Sequence, residues 1–330
     1  MESQQPSDSA AFRSQTWKTK WLLMGGTFLA LWYCVRFLDL RWISRWPTLL
    51  FLLVAGLAPQ LFLLLFPLFT RNKENARRIR VPSLPRCLIE LAIAVPIVIV
   101  TMLALGGLNY LYGKLFPGKT ITPDAIRNIA WASPRFAYPM LLFSFTIAPV
   151  AEEVFFRGFI YNEFRRRMPK VVAVLVQSFI FGFCHFFGTT HAVIAVALGI
   201  LITIIYEWRK TLVSPIFVHA GVNFLSAIGV LAMMAEYSNR PTIGIIGGTN
   251  DTECIVRQVI TNSAASESGI MIGDRIVAFE GQPVANFADL AVAVSTREPD
   301  DTVVLSLVRD GQTLDIQVTL KRRGDITHPP

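Results

Sequence analysis

Glu152, Glu153 and Arg157 lie in the apolar run PVAEEVFFRGFIYNEF, His185 lies in FIFGFCHFF, and His219 with Asn223 lies in FVHAGVNFL. Ionisable side chains are costly at membrane depth, so those found there tend to meet one another and act. One free carboxylate and two imidazoles in a pocket of low dielectric suit hydrolysis in either of two ways. Glu152 could act as general base on a water while His185, His219 and Asn223 donate to the developing oxyanion. Alternatively, Glu152, His185 and His219 could hold a zinc ion that activates the water. The zinc signature H-E-x-x-H is not in the sequence and the donors fall on three separate runs, so the metal-free form is narrowly preferred.

Local spacing adds geometry. Glu153 and Arg157 are four apart, so on a helix they share a face and can pair, which makes a buried Arg tolerable. Glu152 is rotated about 100° from Glu153 and stays outside that pair. His219 and Asn223 project together at the same interval, and Phe181 precedes His185 by it. Without chemistry, the same residues would form a buried polar network that only holds helices together.

The elements that must carry these residues are membrane helices. Hydrophobic residues make up 53% of the 330 and charged ones 16%. Before residue 236 the apolar runs are about 17 to 24 residues long, enough to cross a hydrocarbon core of about 30 Å. Seven spans are expected: Trp21 to Leu38, Pro47 to Phe69, Cys87 to Leu108, Pro139 to Ile160, Val171 to Phe187, Ala192 to Trp208 and Leu212 to Met234. The stretch from Tyr110 to Tyr138 would be an eighth, a poor one because of Lys114, Lys119, Asp124, Arg127 and Arg135. Residues 1–20 read as a polar tail, and the first span as retained rather than as a cleaved signal.

Basic clusters at Arg71 to Arg80 and Arg165 to Lys170 place those loops in the cytoplasm, which leaves the N-terminus inside and the C-terminal region outside. Much of the net charge of +8 then faces anionic headgroups of the lipid bilayer, and nucleic acid is not an expected partner. Measured inward at about 1.5 Å per residue, Glu152, His185, His219 and Asn223 all fall roughly 12 to 21 Å deep, near one level. Cys34, Cys87, Cys184 and Cys254 show no paired spacing, and His191 is expected at an interfacial loop end.

The E-E-x-x-x-R at Glu152, Glu153 and Arg157, the F-x-x-x-H at Phe181 and His185, and the H-x-x-x-N at His219 and Asn223 together resemble the three motifs of the CPBP family. That family comprises CAAX prenyl protease type II enzymes, Abi proteins and bacteriocin-processing proteases. The resemblance covers residues 139–230 and implies that Glu152 activates water, His185 and His219 complete the site, and Asn223 stabilises the oxyanion. By the same resemblance Glu153 and Arg157 support the site. Both metal-dependent and glutamate-dependent activities have been ascribed to the family, so it leaves the zinc question open.

From Glu236 onward the pattern changes to short β-rich runs, CIVRQVI, RIVAFEG, TVVLSLVRDG and TLDIQVTL, around one helix-like stretch, FADLAVAVST, with a hairpin signal at Asp310-Gly311. Residues 241–323 resemble a PDZ domain of the bacterial protease-associated kind, with residues 324–330 as a tail. Ile243, Gly244 and Ile245 match its carboxylate-binding loop, which implies capture of a C-terminal peptide as an added strand. Gly247 and Gly248 depart from the usual strand after that loop.

The expected fold is therefore an α-helical polytopic membrane domain over residues 21–235, with about seven or eight transmembrane helices, followed by a small β-rich PDZ domain. The expected function is an intramembrane endopeptidase of a bacterial cytoplasmic membrane, acting on membrane proteins or peptides. A non-catalytic scaffold that binds a partner C-terminus is the alternative. A transporter with a proton relay ranks third, since no inverted repeat is visible.

Overall fold

The structure is a computed structural model that describes residues 57–69, 82–116, 134–185, 189–247 and 252–326. The expected polar tail, the span Trp21 to Leu38, the first part of the span Pro47 to Phe69 and residues 117–133 lie outside the described residues. The chain divides into two compact units, Met1–Gly229 and Val230–Pro330.

Helices of the first unit are α1 (Ala58–Phe69), α2 (Leu84–Leu115), α3 (Pro134–Phe145), α4 (Ile147–Phe155), a π-helical segment (Phe156–Tyr161), α5 (Asn162–Arg165), α6 (Lys170–Cys184) and α7 (Thr189–Arg209). The next helix, α8 (Val213–Asn239), contains the boundary between the units. Among the described residues three helices, α2, α7 and α8, are long and apolar enough to cross a membrane, or four if α3 and the helix after it form one bent span. Helices α1 and α6 are apolar but shorter.

Three spans differ from expectation. The fourth is not one straight helix: it bends by 44° between α3 and Ile147–Arg165. Pro149 explains the break, because it has no N–H to give the carbonyl of Phe145 four residues back and its ring crowds that carbonyl. The fifth ends at Cys184 instead of running on to Phe187, and His185 has already left helical geometry at φ −105° and ψ 23°. The beginning of the stretch considered as an eighth span, Tyr110 to Leu115, simply continues α2.

The π segment widens the helix that carries the acidic pair, and loosened carbonyls need new partners. Asn162 provides them: its amide donates to the carbonyls of Arg157 at 2.8 Å and Gly158 at 3.0 Å. Its Nδ2 also lies 3.0 Å from the Tyr206 hydroxyl of α7.

Close approach of α6 and α7 rests on small residues, as expected where lipid removes most of the hydrophobic incentive to associate. A Cβ at Gly182 would stand 2.3 Å from Val196 Cγ2, and one at Gly199 would stand 3.1 Å from Ser178 Cβ. Gly182→Val is accordingly expected to force α6 off α7 and to lower the temperature at which the detergent-solubilised protein aggregates, whereas the same change at Gly106, which has open space around it, should not. A second tie is buried Glu90 of α2, which accepts from Arg209 Nε and Nη2 at 3.0 Å each and from the Ser214 hydroxyl. An aromatic cluster of Phe66, Phe155, Phe156, Phe159 and Phe181 fills the space beside the π segment with mostly edge-on contacts.

In the second unit, strands β1 (Pro241–Thr242) and β9 (Lys321–Arg322) pair, β2 (Ile245–Ile246) pairs with β4 (Gln258–Val259), and β3 (Cys254–Ile255), β5 (Arg275–Phe279), β6 (Gln282–Pro283), β7 (Thr302–Arg309) and β8 (Gln312–Thr319) form the main sheet. Helices α9 (Ala264–Glu267) and α10 (Phe287–Ser295) complete it. The β7–β8 hairpin turns at Asp310 and Gly311, both with positive φ, as the Asp-Gly signal requires. The run CIVRQVI divides into β3 and β4: Val256 N still bonds the carbonyl of Asp274 beside β5, whereas Arg257 N turns to the carbonyl of Ile246 in β2. Cys254 is buried in the core, which pushes its thiol up to about 12 and makes it unreactive.

Asp274 accepts Arg309 Nε at 2.8 Å, Arg309 Nη2 at 2.7 Å and the Met271 N–H at 2.8 Å. The Arg309 guanidinium holds this carboxyl below the usual carboxylate range. A carboxylate depressed on folding contributes stability fully above its unfolded pKa of about 3.9 and loses it as pH falls through the lower folded value. Asp274→Asn should therefore cost on the order of 2 kcal/mol at pH 7 and flatten the acid limb, read by hydrogen exchange of the β7–β8 hairpin in the full chain.

Candidate active site

Helix α4 delivers Glu152 and Glu153, the π segment delivers Arg157, the end of α6 delivers Phe181 and His185, and α8 delivers His219 and Asn223. Glu153, Arg157 and His219 are buried and Glu152 is 8% exposed. Glu153 Oε1 is the hub: it accepts from Arg157 Nη1 at 2.7 Å and lies 2.8 Å from His219 Nδ1. The pairing with Arg157 follows the four-residue spacing. The bond to His219 joins residues 66 apart and no local pattern announces it.

Arg157 is held on every side. Its Nη2 donates to the Gly199 carbonyl at 3.1 Å, its Nε faces Thr203 Oγ1 at 3.4 Å, and its guanidinium stacks 4.7 Å from the Phe181 ring centre. Thr203 Oγ1 in turn lies 2.8 Å from Gln177 Oε1. Gln177, Gly199 and Thr203 were not among the expected site residues. Gln177 and Thr203 carry the same signal as Glu152, polar groups in apolar runs, while Gly199 acts through its backbone and has none.

Both imidazoles are set in one sense. His185 Nδ1 lies 2.8 Å from the Phe181 carbonyl, an acceptor only, so Nδ1 carries the proton and Nε2 faces the site. His219 Nδ1 is likewise engaged by the Glu153 carboxylate, which turns its Nε2 inward. The two Nε2 atoms stand 3.4 Å and 3.8 Å from the same atom, Glu152 Oε2. That oxygen is buried without a hydrogen-bond partner among the described residues.

Asn223 is tied to the break in the fourth span: its amide donates to the Ser144 carbonyl at 2.7 Å. Of its two N–H groups one is thereby used. Gly221, between His219 and Asn223, lets α2 approach α8, for a Cβ there would meet Val98 Cγ2 at 2.7 Å. His191 does not lie in a loop but in the first turn of α7, half-buried. Zinc accepts donors of these types, yet among the described residues no group of three or more His, Cys, Asp and Glu side chains is disposed to hold a metal ion.

In the second unit, Ile243 is buried and Gly244 has φ +82°, with space for no side chain: a Cβ would lie 2.2 Å from Ser263 Cβ. The Ile243 carbonyl accepts from Ala265 N at 2.8 Å and the Gly244 carbonyl from Ile260 N at 2.9 Å, so the loop is pinned from one side. Ile245 opens β2.

A helical domain that brings together an acidic pair and two histidines is thus followed by a β-rich domain. Comparison with known families agrees: residues 134–225 match the type II CAAX prenyl endopeptidase Rce1-like family and residues 228–320 match the PDZ domain. Among similar proteins, the periplasmic pH-dependent serine endoprotease DegQ of Escherichia coli K12 is 37% identical over 65 residues, 20% of this chain and 14% of that protein. The periplasmic serine endoprotease DegP of the same strain is 30% identical over 105 residues, 28% of this chain and 22% of that protein. The chain thus spans under a quarter of the length of either. A serine endoprotease structure from Yersinia pestis is 24% identical, covering 30% of this chain and 35% of that one, with a TM-score of 0.24.

Proposed function

We propose that the chain is an intramembrane endopeptidase in which Glu152 activates the attacking water without a metal. The observation that carries this reading is the buried, unpartnered Oε2 of Glu152 with two imidazole Nε2 atoms directed at it. Glu152 removes a proton from water as the oxygen attacks the scissile carbonyl, and returns it to the leaving amine. Glu152, Glu153 and Arg157 sum to one negative charge, which a proton on one imidazole cancels. With Nδ1 already protonated, that proton sits on Nε2, where it donates to the oxyanion. The second N–H of Asn223 is the other donor.

In this reading Glu153, Arg157 and Phe181 orient the histidines and touch no substrate. The substrates are membrane proteins or small secreted peptides of a bacterium, since a PDZ domain of bacterial type makes prenylated substrates a poor fit. The PDZ domain lies outside the cytoplasmic membrane, with the N-terminus inside, and recruits or gates substrates through their C-termini at Ile243, Gly244 and Ile245.

The test compares new protein termini in membranes and medium from cells making wild type or Glu152→Gln at matched levels. Termini confined to wild type, and unaffected by a membrane-permeant zinc chelator, support the proposal. Chelator-sensitive termini transfer the water to a zinc ion. Indistinguishable sets leave the scaffold reading in its place.

A further inference from the structure

Strand β2 is an edge. Its pairing with β4 uses the carbonyls of Gly244, which accepts from Ile260 N, and Ile246, which accepts from Arg257 N, each at 2.9 Å. Alternation along an antiparallel strand then turns the N–H and C=O of Ile245 to the opposite side. No strand pairs there among the described residues. Such an edge accepts a peptide as a further strand.

Helix α10 comes close to this edge at one point. A Cβ built on Gly247 would fall 1.8 Å from Phe287 Cε2, 2.2 Å from Cζ and 2.5 Å from Cδ2. The ring of the first residue of α10 therefore occupies the place of a side chain at position 247. It spans from α10 to the backbone just past β2, which ends at Ile246. Gly247 is thus explained: any larger residue would collide with the ring.

We infer that Phe287 closes the peptide groove behind Ile246, so that the site receives only the last two or three residues of a C-terminus. The inference rests on the reading of Ile243, Gly244 and Ile245 as a carboxylate-binding loop. A docked strand running from that loop along Ile245 meets the aromatic ring at Gly247, and residues further upstream gain no contact. The site reads the carboxylate and the terminal apolar side chain, and is blind to the sequence before them. That suits cleavage products and partners that share only an end.

The experiment uses the full chain in detergent micelles with fluorescein-labelled Ala-Ala-Val and a labelled decapeptide ending in the same three residues, both with free carboxylates, and the decapeptide amide. Wild type is expected to bind the two free acids within threefold of one another by fluorescence anisotropy. Phe287→Ala should bind the decapeptide at least tenfold tighter than wild type does, with the tripeptide unchanged. Phe287→Leu, which keeps apolar bulk, should fall between and serves if the alanine variant does not fold. Equal decapeptide affinity in wild type and in the folded variants, or a wild type that already prefers the decapeptide more than tenfold, overturns the inference. Binding of the amide as tight as that of the acid, or no saturable binding by any of the three proteins, overturns instead the carboxylate-loop reading beneath it.

Discussion

Replacement of Glu152 by Gln is expected to lower the rate of peptide cleavage about 10²- to 10⁴-fold while leaving the protein folded and substrate binding intact. Gln preserves the volume and one acceptor oxygen but cannot take a proton from water. The loss should fall on kcat, with KM little changed, because the missing interaction operates in the transition state. The fold should survive because Glu152 carries no part of the Glu153–Arg157–Gly199 ties that hold the helices. Glu152→Asp sharpens the point: it keeps the charge but withdraws the carboxylate by about one carbon bond from His185 and His219. A general base that must reach a water should fail with it, whereas a carboxylate needed only for charge balance should tolerate it. Cleavage of a fluorogenic membrane-anchored peptide by purified protein in micelles or vesicles measures both. A Gln variant with wild-type kcat would sink the proposed mechanism.

The largest structural effect is expected at Arg157. Removing one partner of a buried ion pair leaves the other charge uncompensated and costs about 3–5 kcal/mol, well beyond an ordinary point mutation. Arg157→Met would strand Glu153 at full burial and delete the contacts to the Gly199 carbonyl and Thr203. His219 then loses a fixed partner for Nδ1, and with it the aim of Nε2 at Glu152. Both stability to denaturing detergent and cleavage should collapse. Arg157→Lys should rescue little, since a single ammonium cannot serve Glu153, Thr203 and Gly199 together. Combining Arg157→Met with Glu153→Gln removes the stranded charge, so the double variant should be more stable than Arg157→Met alone, yet still inactive because His219 is no longer held by a carboxylate. If Arg157→Met alone retains wild-type stability, the buried pair is not what holds this part of the fold.

Part of this architecture was legible from residue order. The Glu153–Arg157 pair follows from a four-residue interval on any helix, and the Asp310-Gly311 turn from backbone preference. Elsewhere the helices depart from what hydropathy alone predicts. Pro149 sits four residues after Phe145 and breaks the fourth span, although hydropathy runs through it without interruption. The apolar run of the fifth span continues through His185, while the helix stops at Cys184. A helix end puts that imidazole on non-helical backbone, free to bond the Phe181 carbonyl.

By itself the sequence determined the two-part character of the chain, the three polar motifs on apolar helices and the presence of the PDZ domain. All of these are written in composition, or in intervals of a few residues over which the backbone geometry is known in advance. Only the tertiary structure decided which nitrogen of each histidine faces Glu152, that Glu153 bonds His219, that Asn223 is tied to Ser144, and that Phe287 stands where position 247 has no side chain. Each of these joins groups tens of residues apart. Their meeting depends on how closely helices and strands approach, which Gly182, Gly199, Gly221 and Gly247 set by the side chains they lack.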